Sequence, residues 1–208
     1  MRQVTLQEIG DIASASRDAL YEDARSVGYN APKIYLHWTA GHYDTLFEDY
    51  HISITGDGEI YVSTDDFSEI LEHTWKRNTG GVGIAICGCY GAGSNDLGDE
   101  PPTDEQIQIM AQIIAVLANN LWLTIDKEWI MTHGEAANNE DGEEPHYCYA
   151  WWNDEYGDGD TRGDLEYLGT EESPEYDPCA TDGSRGGDVL RAKALYYQKL
   201  WNQKAVSV

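Results

Sequence analysis

The chain has 208 residues, 41% hydrophobic and 25% charged, which suits one globular domain with a real core and excludes a disordered polymer. Its 38 acidic residues against 13 basic ones leave a net charge of −25, which excludes the clustered cations needed to hold nucleic acid or an anionic membrane surface. No run approaches the ~18 apolar residues of a membrane span, and residues 1–8 lack the apolar stretch of a secretory signal, so synthesis in the cytoplasm is expected. Four cysteines, Cys87, Cys89, Cys148 and Cys179, are too few and too scattered for a disulfide framework and leave the redox compartment open.

The N-terminal region, 1–30, carries a predicted helix over about 6–27, with Leu6, Ile9, Ala13, Ser16, Leu20 and Ala24 recurring at three- and four-residue steps. Gly28 ends it and Asn30-Ala31-Pro32 makes the turn. Residues 33–37 read as a short apolar strand that delivers His37 at its end. Two strands over 50–55 and 59–63 flank Gly56-Asp57-Gly58, a hairpin signal, and 81–87 is apolar enough to lie centrally in a sheet. The spacing predicts a helix over 103–121, started by Thr103 and Gln106 in a capping-box pattern, with Ile107, Met110, Ile114, Leu117 and Leu121 on one face. A strand over 128–132 hands over His133. Residues 138–163 form a long loop rich in acids, glycine and aromatics, the kind of insertion that is often functional. The C-terminal region, 185–202, carries a last helix over about 187–201, with Val189, Leu190, Ala194, Tyr197 and Leu200 as candidate core positions. With no repeat or linker, 1–208 reads as a single α/β domain: a mixed central β-sheet flanked by helices, with its candidate site at a sheet edge.

Three separated segments carry the chemistry: His37 in Leu36-His37-Trp38-Thr39-Ala40-Gly41, His133 in Met131-Thr132-His133-Gly134-Glu135, and Asp164 in Thr161-Arg162-Gly163-Asp164-Leu165. Two imidazoles and a carboxylate are what a catalytic zinc ion (Zn2+) needs when one position stays open for water. Each is weak alone, since a histidine at a strand end is more often structural. Their joint contexts are specific. His37-Trp38-Thr39-Ala40-Gly41, Tyr50-His51 ahead of a strand and Asp57-Gly58 turn, His73-Thr74-Trp75-Lys76-Arg77-Asn78 before Val82-Gly83-Ile84-Ala85, Thr132-His133-Gly134-Glu135 and Arg162-Gly163-Asp164-Leu165 follow one another in order. Together they resemble the zinc-dependent N-acetylmuramoyl-L-alanine amidases, the family that includes phage lysozyme-amidases and peptidoglycan recognition proteins.

That resemblance, running from about Lys33 to Leu168, implies that His37, His133 and Asp164 bind zinc, and that Tyr50 and Arg162 act on the substrate by stabilising an oxyanion. It implies hydrolysis of the amide joining the lactyl group of N-acetylmuramic acid to L-alanine in peptidoglycan. Some relatives carry a glutamate general base in the central strand; the matching position here is Ala85, a departure shared with phage-type members. Arg162 stands where many relatives have lysine, and a permanently charged guanidinium does not shuttle protons. Glu135 is a further candidate, as a general base or as a partner of a ligand. Cys148 competes with Asp164 for the third ligand position, but Tyr147-Cys148-Tyr149-Ala150-Trp151-Trp152 reads more like packed aromatic structure. His42, His51 and His146 read more easily as loop or sheet residues, and His73 and Asn78 as cleft or turn residues.

The acidic stretch 154–160 lacks the glycine and glutamate of an EF-hand and reads as a solvated loop. Trp151, Trp152 and Tyr156 line a glycan groove or else pack the insertion. A phage or prophage lytic enzyme, monomeric and acting on the bacterial wall after release or delivery, is the expected setting. The rivals are a non-catalytic peptidoglycan-binding protein and a zinc hydrolase of another amide or peptide.

Overall fold

The computed structural model describes residues 1–93, 95–137 and 163–206. Its ten elements run β1 (Arg2–Val4), α1 (Leu6–Ser26), β2 (Lys33–Trp38), β3 (Ile52–Ile54), β4 (Ile60–Val62), β5 (Gly81–Ile86), α2 (Asp104–Leu121), β6 (Ile130–Thr132), α3 (His133–Ala137) and α4 (Gly186–Val206). The strands form one mixed sheet in the order β1-β4-β3-β5-β2-β6. The neighbours β3, β5, β2 and β6 pair in parallel, whereas the β3–β4 hairpin and the β1–β4 edge are antiparallel. The fold is the α/β sheet with flanking helices that the sequence predicts.

Strand alternation assigns the two faces. Ile34, Leu36 and Trp38 of β2, Ile52 and Ile54 of β3, and Val82, Ile84 and Ile86 of β5 join one core cluster with the buried faces of α1, α2 and α4. α1 inserts Ile9, Ala13, Ser16, Leu20 and Ala24 as predicted, whereas Leu6 is only half-buried. The five predicted core positions of α2 are all buried, and α2 packs against α1 and α4 as well as β3 and β5. Gln106 also ties the helix start to the sheet, donating from Nε2 to the carbonyls of Ile54 and Cys87 at 3.0 and 2.6 Å.

The opposite face carries Tyr35 and His37 of β2, with Gly81, Gly83 and Ala85 on β5. These β5 positions must be small. A Cβ on Gly83 would sit 2.6 Å from Cγ of His73, and one on Gly81 would sit 2.7 Å from the carbonyl oxygen of Arg77. The segment bearing His73 and Arg77 therefore lies directly on the sheet and seals this face.

Several boundaries differ from the sequence reading. The predicted strand 50–55 shrinks to Ile52–Ile54, leaving Tyr50 in the preceding turn, where its carbonyl accepts from Ser63 Oγ at 2.6 Å. α3 follows β6 directly and was not anticipated, and α4 runs to Val206 rather than stopping near 201. β1 was not anticipated. Among the described residues, no helix is long and apolar enough to cross a membrane. The insertion 138–163 lies almost wholly outside the described residues, together with Cys148, Arg162 and the aromatic and acidic positions read there.

Candidate metal centre

Parallel pairing of Leu36 with Thr132 makes His37 and His133 the next residues on adjacent strand ends, beside the edge strand β6. Their rings lie 4.8 Å apart, nearly perpendicular. Asp164 reaches them from a turn that follows the sheet in sequence. Its Oδ2 is 3.4 Å from His37 Nδ1 and 3.6 Å from His133 Nδ1. Zinc bonds of about 2.0–2.1 Å at tetrahedral angles put two donors about 3.3–3.4 Å apart, so these separations match one tetrahedral edge. The three are the only such metal-ligating group among the described residues, and each is buried. Two imidazoles and one carboxylate also match the donor chemistry of a zinc site with an open position, so the residues present fit the ion.

The ligands are held in different ways. His37 Nε2 lies 3.2 Å from the Thr74 hydroxyl, which in turn lies 2.9 Å from His73 Nδ1. Burial first, then the neighbouring His51, His37 and His133 rings, hold His73 well below the ordinary imidazole range, so it is neutral. His133 opens α3. Thr132 and Glu135 cap that helix reciprocally, with Glu135 N donating to Thr132 Oγ1 at 3.1 Å and Thr132 N donating to Glu135 Oε2 at 2.9 Å.

Asp164 sits in a turn closed by Glu166 N donating to the Gly163 carbonyl at 3.1 Å. Leu165, at φ 57°, occupies the left-handed region, which costs a non-glycine residue about 1–2 kcal/mol. The turn is pinned from both sides. Glu166 accepts from Thr132 Oγ1 at 2.8 Å and from Arg185 at 2.6 Å, while Leu165 is buried in the core. A Cβ on Gly186 would come 2.0 Å from the Leu165 carbonyl oxygen, so the start of α4 backs directly onto the turn. Thr132 thus touches the supports of both His133 and Asp164.

Tyr50 stands against the centre, its ring 5.2 Å from that of His37. A cleft of about 200 Å³ above the ligands is lined by Phe47, Asp49, Tyr50, Glu72, His73 and His133. A larger hollow of about 690 Å³ runs beside the acidic residues Glu171, Glu172, Glu175 and Asp177, but among the described residues it holds no group of convergent metal donors. Size does not mark the chemistry here.

The structure brings together His37, His133, Asp164 and Tyr50. It places Glu135 elsewhere. Arg191 grips both carboxylate oxygens of Glu135 at 2.8 Å, in a buried fork–fork pair that also reaches Asp188. Arg162 lies outside the described residues, as does Cys148. Ala85 pairs in register with His37. Cys87 and Cys89 are free and buried, and burial before other causes pushes both thiols up to about 12. Sequence reasoning missed Glu166, Arg185 and Arg191, whose partners are distant along the chain. The Thr132-to-Glu135 spacing was a visible capping signal.

Against this geometry, the family model described as N-acetylmuramoyl-L-alanine amidase matches residues 15–148, and the chain belongs to that family. Asp164 lies beyond the matched stretch. Among solved structures, the endolysin N-acetylmuramoyl-L-alanine amidase LysCS from Clostridium intestinale is 20% identical, with 52% of this chain and 72% of that chain covered and a TM-score of 0.38. Drosophila PGRP-LB is 19% identical, with 60% and 94% covered and a TM-score of 0.39. Drosophila PGRP-SA is 16% identical, with 60% and 91% covered and a TM-score of 0.39. No curated protein matches the chain.

Proposed function

We propose that the chain is a zinc-dependent hydrolase of the amide between N-acetylmuramic acid and L-alanine in peptidoglycan, acting as a phage or prophage lytic enzyme. The observation that carries this reading is the spacing of His37, His133 and Asp164 beneath the Tyr50 cleft. His37 and His133 would hold the ion through Nδ1, and Asp164 through Oδ2. Zinc held there supplies Lewis acidity and brings the pKa of a water to about 7.

The chain's own groups supply the rest. Tyr50, on the cleft wall, donates from its hydroxyl to the oxygen that becomes anionic when the amide carbonyl is attacked. Arg162 is assigned the same task as a fixed positive charge, and removing one such donor typically costs ~10²–10³ in rate. The C–N bond breaks, water adds its oxygen to the lactyl carbonyl, and the proton leaves with the L-alanine amine. Glu135 is assigned to holding His133 at the start of α3 rather than to proton transfer, because Arg191 and the Thr132 amide occupy its carboxylate. The register of Ala85 beside His37 supports the phage-type pattern, which lacks a glutamate there.

Metal content and wall digestion, measured on wild type and Asp164→Ala, test the reading. About one zinc per chain and new lactyl carboxylates with free L-alanine amines are expected, with both lost in the variant. Cuts inside the stem peptide would make the chain a peptidase instead. Wall binding with neither zinc nor cleavage would make it a binding protein.

A further inference from the structure

We propose that Thr74 is a positioning residue of the metal centre, its hydroxyl fixing His37 in the tautomer that presents Nδ1 to the ion. The inference rests on the zinc reading above. His37 Nδ1 lies 3.4 Å from Asp164 Oδ2; with the ion held between them on Nδ1, the ring proton sits on Nε2, which points to Thr74 Oγ1 at 3.2 Å. A hydroxyl accepts and donates at once. Having accepted from His37, Thr74 has its own proton left to give, and His73 Nδ1 lies 2.9 Å away to receive it. One hydroxyl therefore sets the proton positions of two imidazoles.

The hydroxyl is itself fixed. Thr74 is fully buried, its amide donates to Asn78 Oδ1 at 2.7 Å, and its carbonyl accepts from the Arg77 amide at 2.9 Å. It is closed to bulk solvent, and Gly83 opposite admits the His73 ring that completes the chain. The ring nitrogen of a ligating histidine that faces away from the metal needs a partner of this kind, and loss of one typically weakens the metal 10–100-fold.

The test compares wild type, Thr74→Val and Thr74→Ser by zinc competition against a chromophoric chelator and by imidazole nitrogen and proton shifts of the zinc-loaded proteins. Thr74→Val keeps the shape and is expected to weaken zinc ~10–100-fold, while Thr74→Ser stays within about threefold. With zinc bound, the wild type is expected to show His37 coordinated through Nδ1 with a hydrogen-bonded Nε2–H, and Thr74→Val to lose that hydrogen bond. Equal affinity in wild type and Thr74→Val overturns the proposal while leaving the metal reading intact. So does a serine variant as weak as the valine one, or a zinc-loaded wild type whose His37 binds through Nε2. A wild type that takes up no zinc overturns the metal reading itself.

Discussion

The two sides of the candidate metal centre are built on different principles. His37 and His133 are delivered by strand ends in parallel register, so the sheet's hydrogen bonds and apolar core place them together. Asp164 has no ladder beneath it. Its turn is held by a buried ion pair to Arg185, just ahead of α4, a hydroxyl from β6 and one residue in the left-handed region. A strand-borne ligand inherits the stability of the whole core, whereas a turn-borne ligand depends on a few named contacts. The difference predicts where the centre breaks first.

The largest effect belongs to the ligand itself. Asp164→Ala removes one of three donors and is expected to abolish zinc uptake and wall cleavage, with circular dichroism unchanged because the ladder is untouched. Next comes the support of the turn. Arg185→Met strands the Glu166 carboxylate inside the protein, which typically costs about 3–5 kcal/mol, and it should weaken zinc as well. Burial pushes the Glu166 carboxyl up despite the Arg185 guanidinium, so the pair is no strong source of stability. Replacing both, as Arg185→Met with Glu166→Leu, should therefore recover most of the denaturation midpoint without recovering zinc affinity. Recovery of both would mean that the turn finds its place without the clasp.

The strand side has its own sensitivity, to acid. His51 accepts from the Gly83 amide at Nδ1, at 3.0 Å, and donates from Nε2 to the Glu69 carbonyl, at 2.8 Å. Burial, ahead of the opposing pull of Glu69, lowers its pKa from 6.5 to about 4. The unfolded chain thus binds a proton that the folded chain refuses. This contribution to stability is complete above pH 6.5 and is lost as pH falls towards 4, about 3 kcal/mol in all. Urea midpoints at pH 7, 5.5 and 4.5 should fall, and His51→Gln should flatten that slope. An equal slope in the variant would assign the acid sensitivity to other groups.

Much of the strand side was legible in the sequence. Short apolar runs marked β2 and β5, a 3.6-residue period marked α1 and α2, and the Asp57-Gly58 turn marked the β3–β4 hairpin. His37 and His133 each close an apolar run, but the ordered set of motifs and its resemblance to the amidases is what marked them as candidate ligands. The turn side was legible only as the residue Asp164, because its supports come from Arg185 and Thr132, 21 residues ahead and 32 behind, with no local pattern linking them. Glu135 shows how a local signal is read two ways. Beside a proposed ligand it suggests a base, yet Thr132-His133-Gly134-Glu135 is also a capping box, and the paired bonds of Thr132 and Glu135 fit that second meaning. β1 was too short for periodicity to mark, and Tyr50 left its predicted strand because its carbonyl bonds a side chain instead of the ladder.

The same capping box recurs at Thr5 with Glu8, far from the centre, and it gives the smallest and cleanest test of the comparison. Both boxes satisfy the free amides at a helix start, and losing such a cap costs about 1 kcal/mol. At Thr5 that is the whole expected effect: Thr5→Ala should lower the denaturation midpoint slightly and leave zinc affinity where it was. Thr132 differs because its hydroxyl also donates to Glu166, so one side chain braces the His133 helix and the Asp164 turn together. Thr132→Ala should therefore lose more than a cap's worth of stability and weaken zinc ~10–100-fold, since both supports loosen at once. If Thr5→Ala and Thr132→Ala shift stability equally and neither moves zinc, the two boxes are the same device, and the turn that bears Asp164 stands without Thr132.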